Sequence, residues 1–234
     1  MTGADLQLAL IVSVGVLPAF GITLTLLDWT LGDRPAVRTL LTLRAPWVYG
    51  AFLLSGVVAA ALLGLLDARS LHDPEAAWRV LLAFALVPLC AAVPYFVELA
   101  VSSRAAPAAA SAVPLPLTTG AAQDAAEDLS QSRTEWWSLA GLTAAAEEAL
   151  FRATLLPVAA AVAGSVVALL ASALVFGAHH IAFGAAAVIG KLVAGLTWGA
   201  VMLLAGTVLA PLAAHLLFQL LVWRRLRRRA MVIA

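Results

Sequence analysis

Charge is scarce in this 234-residue chain: Asp, Glu, Lys and Arg together make up 12% of it, against 63% hydrophobic residues. With a mean hydropathy of +1.00, a domain of this size cannot hide its apolar surface from water, so a water-soluble globule is excluded and a bilayer is the expected solvent. Cysteine is almost absent. Cys90 stands alone inside an apolar run, which rules out an intramolecular disulfide and reads as a small core residue. No Lys or Arg precedes the first apolar run, only Asp5, so the basic n-region of a cleaved signal peptide is missing and the run is expected to be retained. There is also no HExxH spacing and no convincing internal repeat.

What is present is a series of apolar stretches near the length of about 20 residues that a spanning helix needs, since such a segment must satisfy its own backbone N–H and C=O groups. The runs fall at about 7–27, 46–66, 78–101, 136–161, 165–183, 186–206 and 207–223, and the last two could be one broken span. The expected fold is therefore all-α, a polytopic membrane bundle of about seven transmembrane helices. Six of the seven tryptophans (Trp29, Trp47, Trp78, Trp136, Trp137 and Trp223) lie at or beside these ends. That is where an amphipathic ring prefers the headgroup layer.

Arg224, Arg225, Arg227, Arg228 and Arg229 crowd the last predicted membrane exit, which assigns that end to the cytoplasm. Seven spans then leave the N-terminus outside, place Arg34, Arg38 and Arg44 inside, and place Asp67, Asp73 and Glu75 outside. A juxtamembrane position makes topology and lipid contact the reading of the arginine cluster, and no nucleic-acid partner is expected. Residues 102–135, rich in Ala, Pro and Ser and then acidic through Asp124, Glu127 and Asp128, form a cytoplasmic linker whose second half could be a surface helix. They separate a three-helix part, 1–101, from a four-helix part, 136–223, which a basic tail follows at 224–234. Gly195 and Gly199 make a GxxxG pair whose default meaning is close packing.

Ionisable residues inside spans are costly and mark function by default. They are Glu98, Glu147, Glu148, Arg152, His179, His180, Lys191 and His215. Glu98 and Lys191 sit near span ends, where snorkelling to the surface accounts for them. Glu148 and Arg152 form an i, i+4 pair in the favoured order. Glu147 points about 100° away and has no partner on its own helix, so it can accept a proton once water and a second polar group are near. Phe176 shares a face with His180, and His215 with Gln219, each at i, i+4, while His179 points elsewhere. Glu147 is 14 residues from Ala161 and His180 is 15 from Ser165. At 1.5 Å per residue both lie roughly 21–23 Å from the outer turn, so they can meet across an antiparallel pair. His215 comes out shallower, and helix tilt or an earlier start for its span is needed to level it.

The pattern Glu147-Glu148-x-x-x-Arg152, Phe176-x-x-x-His180 and His215-x-x-x-Gln219 resembles the CAAX protease and bacteriocin-processing (CPBP, or Abi) family of intramembrane proteases, which includes the type II CAAX prenyl endopeptidases. The likeness runs from about Trp136 to Trp223 and includes Phe151-Arg152, Leu156-Pro157 and Gly206-Thr207. It implies a peptide hydrolase of glutamic type in which Glu147 and His180 activate water. His215 and the residue at 219 would stabilise the oxyanion. The family usually carries Asn or another short polar residue where this chain has Gln219, and the extra methylene moves the amide by roughly 1.5 Å.

Glu147, His180 and His215 could also hold zinc with a water as fourth ligand, but the metal-free, cofactor-free reading is favoured. Glu148, Arg152 and His179 are read as structural, Phe176 as pocket wall, and Gln219 is open between the two readings. The implied partners are membrane lipids and a membrane-anchored protein or peptide substrate, and the expected location is the cell inner (plasma) membrane. Two other classes compete: a non-catalytic scaffold or immunity protein on the same fold, and a proton-coupled transporter using Glu147 and the histidines as a relay. The missing repeat symmetry counts against the transporter.

Overall fold

The computed structural model describes residues 2–15, 35–66, 77–105, 133–181 and 184–233. The second half of the first predicted span, Trp29, Arg34, the acidic residues Asp67, Asp73 and Glu75, and most of the predicted linker with Asp124, Glu127 and Asp128 lie outside the described residues.

Among the described residues the chain is all-helical, with seven helices and no strand. They are α1 (Gly3–Gly15), α2 (Pro35–Leu62), α3 (Ala77–Ala105), α4, α5 (Ser165–Ala178), α6 (Ala185–Ala205) and α7 (Leu209–Ile233). Helix α4 starts as Arg133–Leu150, passes through a π turn at Phe151–Leu155 and continues as Leu156–Ala163. Two helices, in α3 (Ala77–Ser103) and α6, are long and apolar enough to cross a membrane, and Gly3–Gly15, Trp47–Leu62 and Ser165–Ala178 are shorter apolar helices. The α3 window has a mean hydropathy of 2.4, yet only 28% of it is buried inside the protein. Leu81 and Phe96 on α3, with Val166 and Leu174 on α5, point outward at 60% exposure or more. Large side chains so placed call for an apolar surrounding medium.

Three predicted spans change shape. The second, expected over 46–66, is helical from Pro35 to Leu62, so Arg38 and Arg44 lie on α2 rather than in a connection before it. The fifth, expected over 165–183, ends at Ala178, so His179 and His180 lie in the turn that follows it. The His180 ring caps this end: Nδ1 lies 2.9 Å from the Phe176 carbonyl, one of the acceptors a helix C-terminus leaves without an internal donor. The sixth and seventh are separate helices, because Gly206 takes a left-handed conformation (φ 66°) and caps α6 by bonding to the Met202 carbonyl. Helix α7 then runs on through the arginine cluster to Ile233. Arginine is a good helix former, and after Pro211 in the first turn no Gly or Pro follows in the helix.

Helix α5 packs on α6, α3 packs on α6 and α7, and α2 packs on α4. The GxxxG pair lies in the α5/α6 contact: a Cβ built at Gly195 would stand 2.7 Å from the Ala173 backbone, and one at Gly199 would stand 2.6 Å from Leu169. The α3/α6 contact has a different origin. Pro94 lies inside α3 and has no N–H, so the Cys90 carbonyl four residues earlier loses its helical donor. The indole Nε1–H of Trp198 donates to that carbonyl at 2.9 Å. At one end of the bundle Trp136, Trp137 and Trp223 form an aromatic cluster with centroids 4.9–6.3 Å apart. The guanidinium groups of Arg133 and Arg227 lie over Trp223.

Candidate active site

The carboxylates of Glu147 and Glu148 enter the bundle from α4 just before its π turn. A π turn inserts an extra residue per turn and occurs often at functional sites. Here Thr154 Oγ1 donates to the Ala149 carbonyl (2.9 Å) and Ser13 of α1 donates to the Leu150 carbonyl (3.2 Å), so the widened turn has its carbonyls engaged.

Two of the histidines singled out from the sequence converge on Glu147. Its Oε1 lies 3.7 Å from His180 Nε2 and its Oε2 lies 3.8 Å from His215 Nε2. Both separations are longer than a hydrogen bond. Each imidazole is held by its other nitrogen. His180 Nδ1 is on the Phe176 carbonyl, and His215 Nδ1 is 3.0 Å from Glu148 Oε1. With a proton on Nδ1, neutral His180 presents a bare Nε2 toward Glu147. His215 also lies against Trp198, with ring centroids 4.3 Å apart and an interplanar angle of 32°. Glu147 and His180 keep 4% and 6% exposure, whereas Glu148, Arg152 and His215 keep 1%. The first two therefore face what access remains, and the other three stand behind them.

Glu148 and Arg152 do pair, Oε2 to Nε at 3.3 Å. The pair is more than a local helix contact, because Glu148 also orients His215. The Arg152 guanidinium lies 4.1 Å from the centroid of the fully buried Phe176 and 5.4 Å from that of Trp198. Its terminal nitrogens make no hydrogen bond among the described residues. Phe176 is thus a wall, as expected, and also the face on which a buried cation rests.

Two expectations need correction and a third is narrowed. Lys191 does not snorkel: it is 9% exposed, and its Nζ sits 4.6 Å from the Phe218 centroid and 5.7 Å from that of Trp198. Aromatic quadrupoles rather than water surround the ammonium. His179 does not point away from the site, because ending α5 at Ala178 frees its ring to reach Tyr49, whose Oη is 2.7 Å from His179 Nε2. The level of His215 does not come from an earlier helix start, since α7 begins at Leu209, two residues later than expected. Gln219, half-buried one turn beyond His215, makes no hydrogen bond among the described residues. Glu98 is half-buried beside Gly190, where a Cβ would stand 2.9 Å from Glu98 Oε2.

Two residues of this cluster escaped the sequence reading. Tyr49 of α2 donates a hydrogen bond to Glu147 Oε1 at 3.2 Å. Its only signal was being one of two tyrosines in the chain, close to a predicted span end. Trp198 carried a clearer one: it is the single tryptophan away from a predicted membrane boundary. As for metal, among the described residues no three His, Cys, Asp or Glu side chains are grouped to hold an ion.

Residues 130–221 match the family model of the Rce1-like type II CAAX prenyl endopeptidases. That segment nearly coincides with the stretch from Trp136 to Trp223 in which the motifs show the resemblance. It contains Glu147, Glu148, Arg152, His180, His215 and Gln219 and leaves out Tyr49. No curated protein and no solved structure matches the chain.

Proposed function

Starting from its Rce1-like segment, we propose that this protein is an intramembrane endopeptidase of glutamic type that hydrolyses a peptide bond in a membrane-anchored substrate. The observation that carries this reading is the Glu147 carboxylate set between two imidazole Nε2 atoms at 3.7 and 3.8 Å, each ring pinned through Nδ1. A water held between Glu147 and the bare Nε2 of His180 loses a proton to the carboxylate as its oxygen attacks the carbonyl carbon. His215, held through Nδ1 on Glu148 Oε1, is the side chain that turns its Nε2 edge toward the developing oxyanion. Gln219, on the same face of α7, is the second donor in this scheme. The proton taken by Glu147 then passes to the leaving amine. All steps run through the chain's own side chains, and no metal is assigned a role.

The bundle sits in the membrane through α3 and α6, with the remaining helices completing a seven-span topology. The arginine-rich end of α7 and the Trp136–Trp137–Trp223 cluster belong to the cytoplasmic face of the plasma membrane. The test is cleavage of a library of membrane-anchored peptides by detergent-purified wild type and Glu147→Gln. Loss of the general base is expected to lower turnover by about 10²- to 10⁴-fold. Equal, background-level turnover in both would refute the enzyme reading and leave a binding scaffold on the same fold.

A further inference from the structure

Among the described residues the Glu147 carboxylate accepts one hydrogen bond, and it comes from α2, outside the family-matched segment. An ionised carboxylate can only accept, so the phenol proton of Tyr49 goes to Glu147 Oε1. The phenol oxygen then has to accept from the nitrogen 2.7 Å away, His179 Nε2. That requires His179 to carry its proton on Nε2. The other nitrogen, Nδ1, is buried and has no hydrogen-bond partner. With the proton on Nε2, no N–H on that ring is buried without an acceptor, which is the less costly arrangement. Local geometry therefore gives the chain one direction, from His179 to Tyr49 to Glu147, and bonds in such a sequence polarise one another.

We propose that Tyr49 and His179 are positioning residues for Glu147. The directed chain His179→Tyr49→Glu147 holds the carboxylate in the rotamer that points between His180 and His215. It takes the place of a counter-charge on Oε1, where the nearest imidazole stands too far away for a hydrogen bond. His179 acts only through Tyr49. The inference rests on Glu147 being the base of the proposed protease. It adds that the active site of this chain is incomplete without its N-terminal helices.

The test uses the full-length protein in detergent, with the library peptide that wild type cleaves fastest. Tyr49→Phe keeps the ring and removes the hydroxyl. Losing a hydrogen bond to a charged group is expected to lower kcat about 10- to 100-fold with KM within about twofold. His179→Phe keeps the ring contacts with Phe151, Tyr49 and His180 and is expected to lower kcat less. The double variant should match Tyr49→Phe alone, because a donor that acts through a missing hydroxyl has nothing left to contribute. A kcat for Tyr49→Phe within twofold of wild type overturns the proposal. So does a double variant whose loss equals the product of the single losses.

A second measurement needs no turnover. The ¹⁵N spectrum of the His179 ring, assigned by its loss in His179→Phe, should show the Nε2–H tautomer in wild type and a tautomer mixture in Tyr49→Phe. An Nδ1–H ring in wild type overturns the chain. Should wild type and Glu147→Gln be equally inactive, the protease reading falls by itself, and the tautomer still decides whether the hydrogen-bond chain exists.

Discussion

Replacing Trp198 with Phe tests how far Pro94 of α3 shapes the site. Trp198 is fully buried, donates Nε1–H to the Cys90 carbonyl at 2.9 Å, and lies against His215. Phenylalanine fills most of the space but has no donor, and Pro94 cannot supply one from within α3. The Cys90 carbonyl is then buried without a partner, at about 1–3 kcal/mol, and the smaller ring also leaves a gap beside the His215 imidazole. Pro94→Ala should compensate in that background, because an alanine there would bring an N–H to Cys90 from the normal i+4 position. In the wild-type background the same change adds a donor to a carbonyl that already has one, so it should gain little. The double-mutant cycle is therefore expected to show about 1 kcal/mol of coupling in favour of the double variant. Equilibrium unfolding in mixed micelles measures stability, and peptide turnover on the same samples reads the His215 side. If Pro94→Ala shifts stability equally in both backgrounds, the account of the α3/α6 contact is wrong.

Glu148→Gln should destabilise the protein by about 3–5 kcal/mol, since it strands the buried Arg152 guanidinium; Glu148→Gln with Arg152→Met should recover most of the stability but not the turnover, which separates the charge balance from the orientation of His215. Turnover is expected to survive dialysis against a strong zinc chelator, and elemental analysis of active protein should find far less than one zinc per chain; chelator-sensitive activity restored by zinc would contradict the metal-free reading. Gly195→Ala places a methyl group 2.7 Å from the Ala173 backbone and is expected to cost about 1–3 kcal/mol in thermal or denaturant unfolding. No loss of stability there would mean that the α5/α6 packing is looser than described.

Much of the fold was legible because helices in lipid answer to length and composition. The apolar runs at 78–101 and 186–206 reappear as α3 and α6 within a few residues at each end. The ends of α5 and α7 were not legible. A turn closed by a histidine capping its own helix, and a helix running on through five arginines, look in composition like a continuing span and a separate tail. The pairing of Glu148 with Arg152 followed from i, i+4 spacing, since both residues lie on one helix.

What the amino-acid order determined by itself is the set of chemical groups and their local partners: an all-helical chain, two glutamates on adjacent helical faces, and histidines on later segments of an Rce1-like stretch. These follow from helical period and from the cost of charge in apolar surroundings, both of which act over a few residues. Only the tertiary structure decided which groups meet. Tyr49 lies 98 residues from Glu147, and Trp198 reaches a carbonyl 108 residues away that Pro94 had left without a donor. Such contacts depend on the relative placement of whole helices, and no periodicity within a segment encodes that.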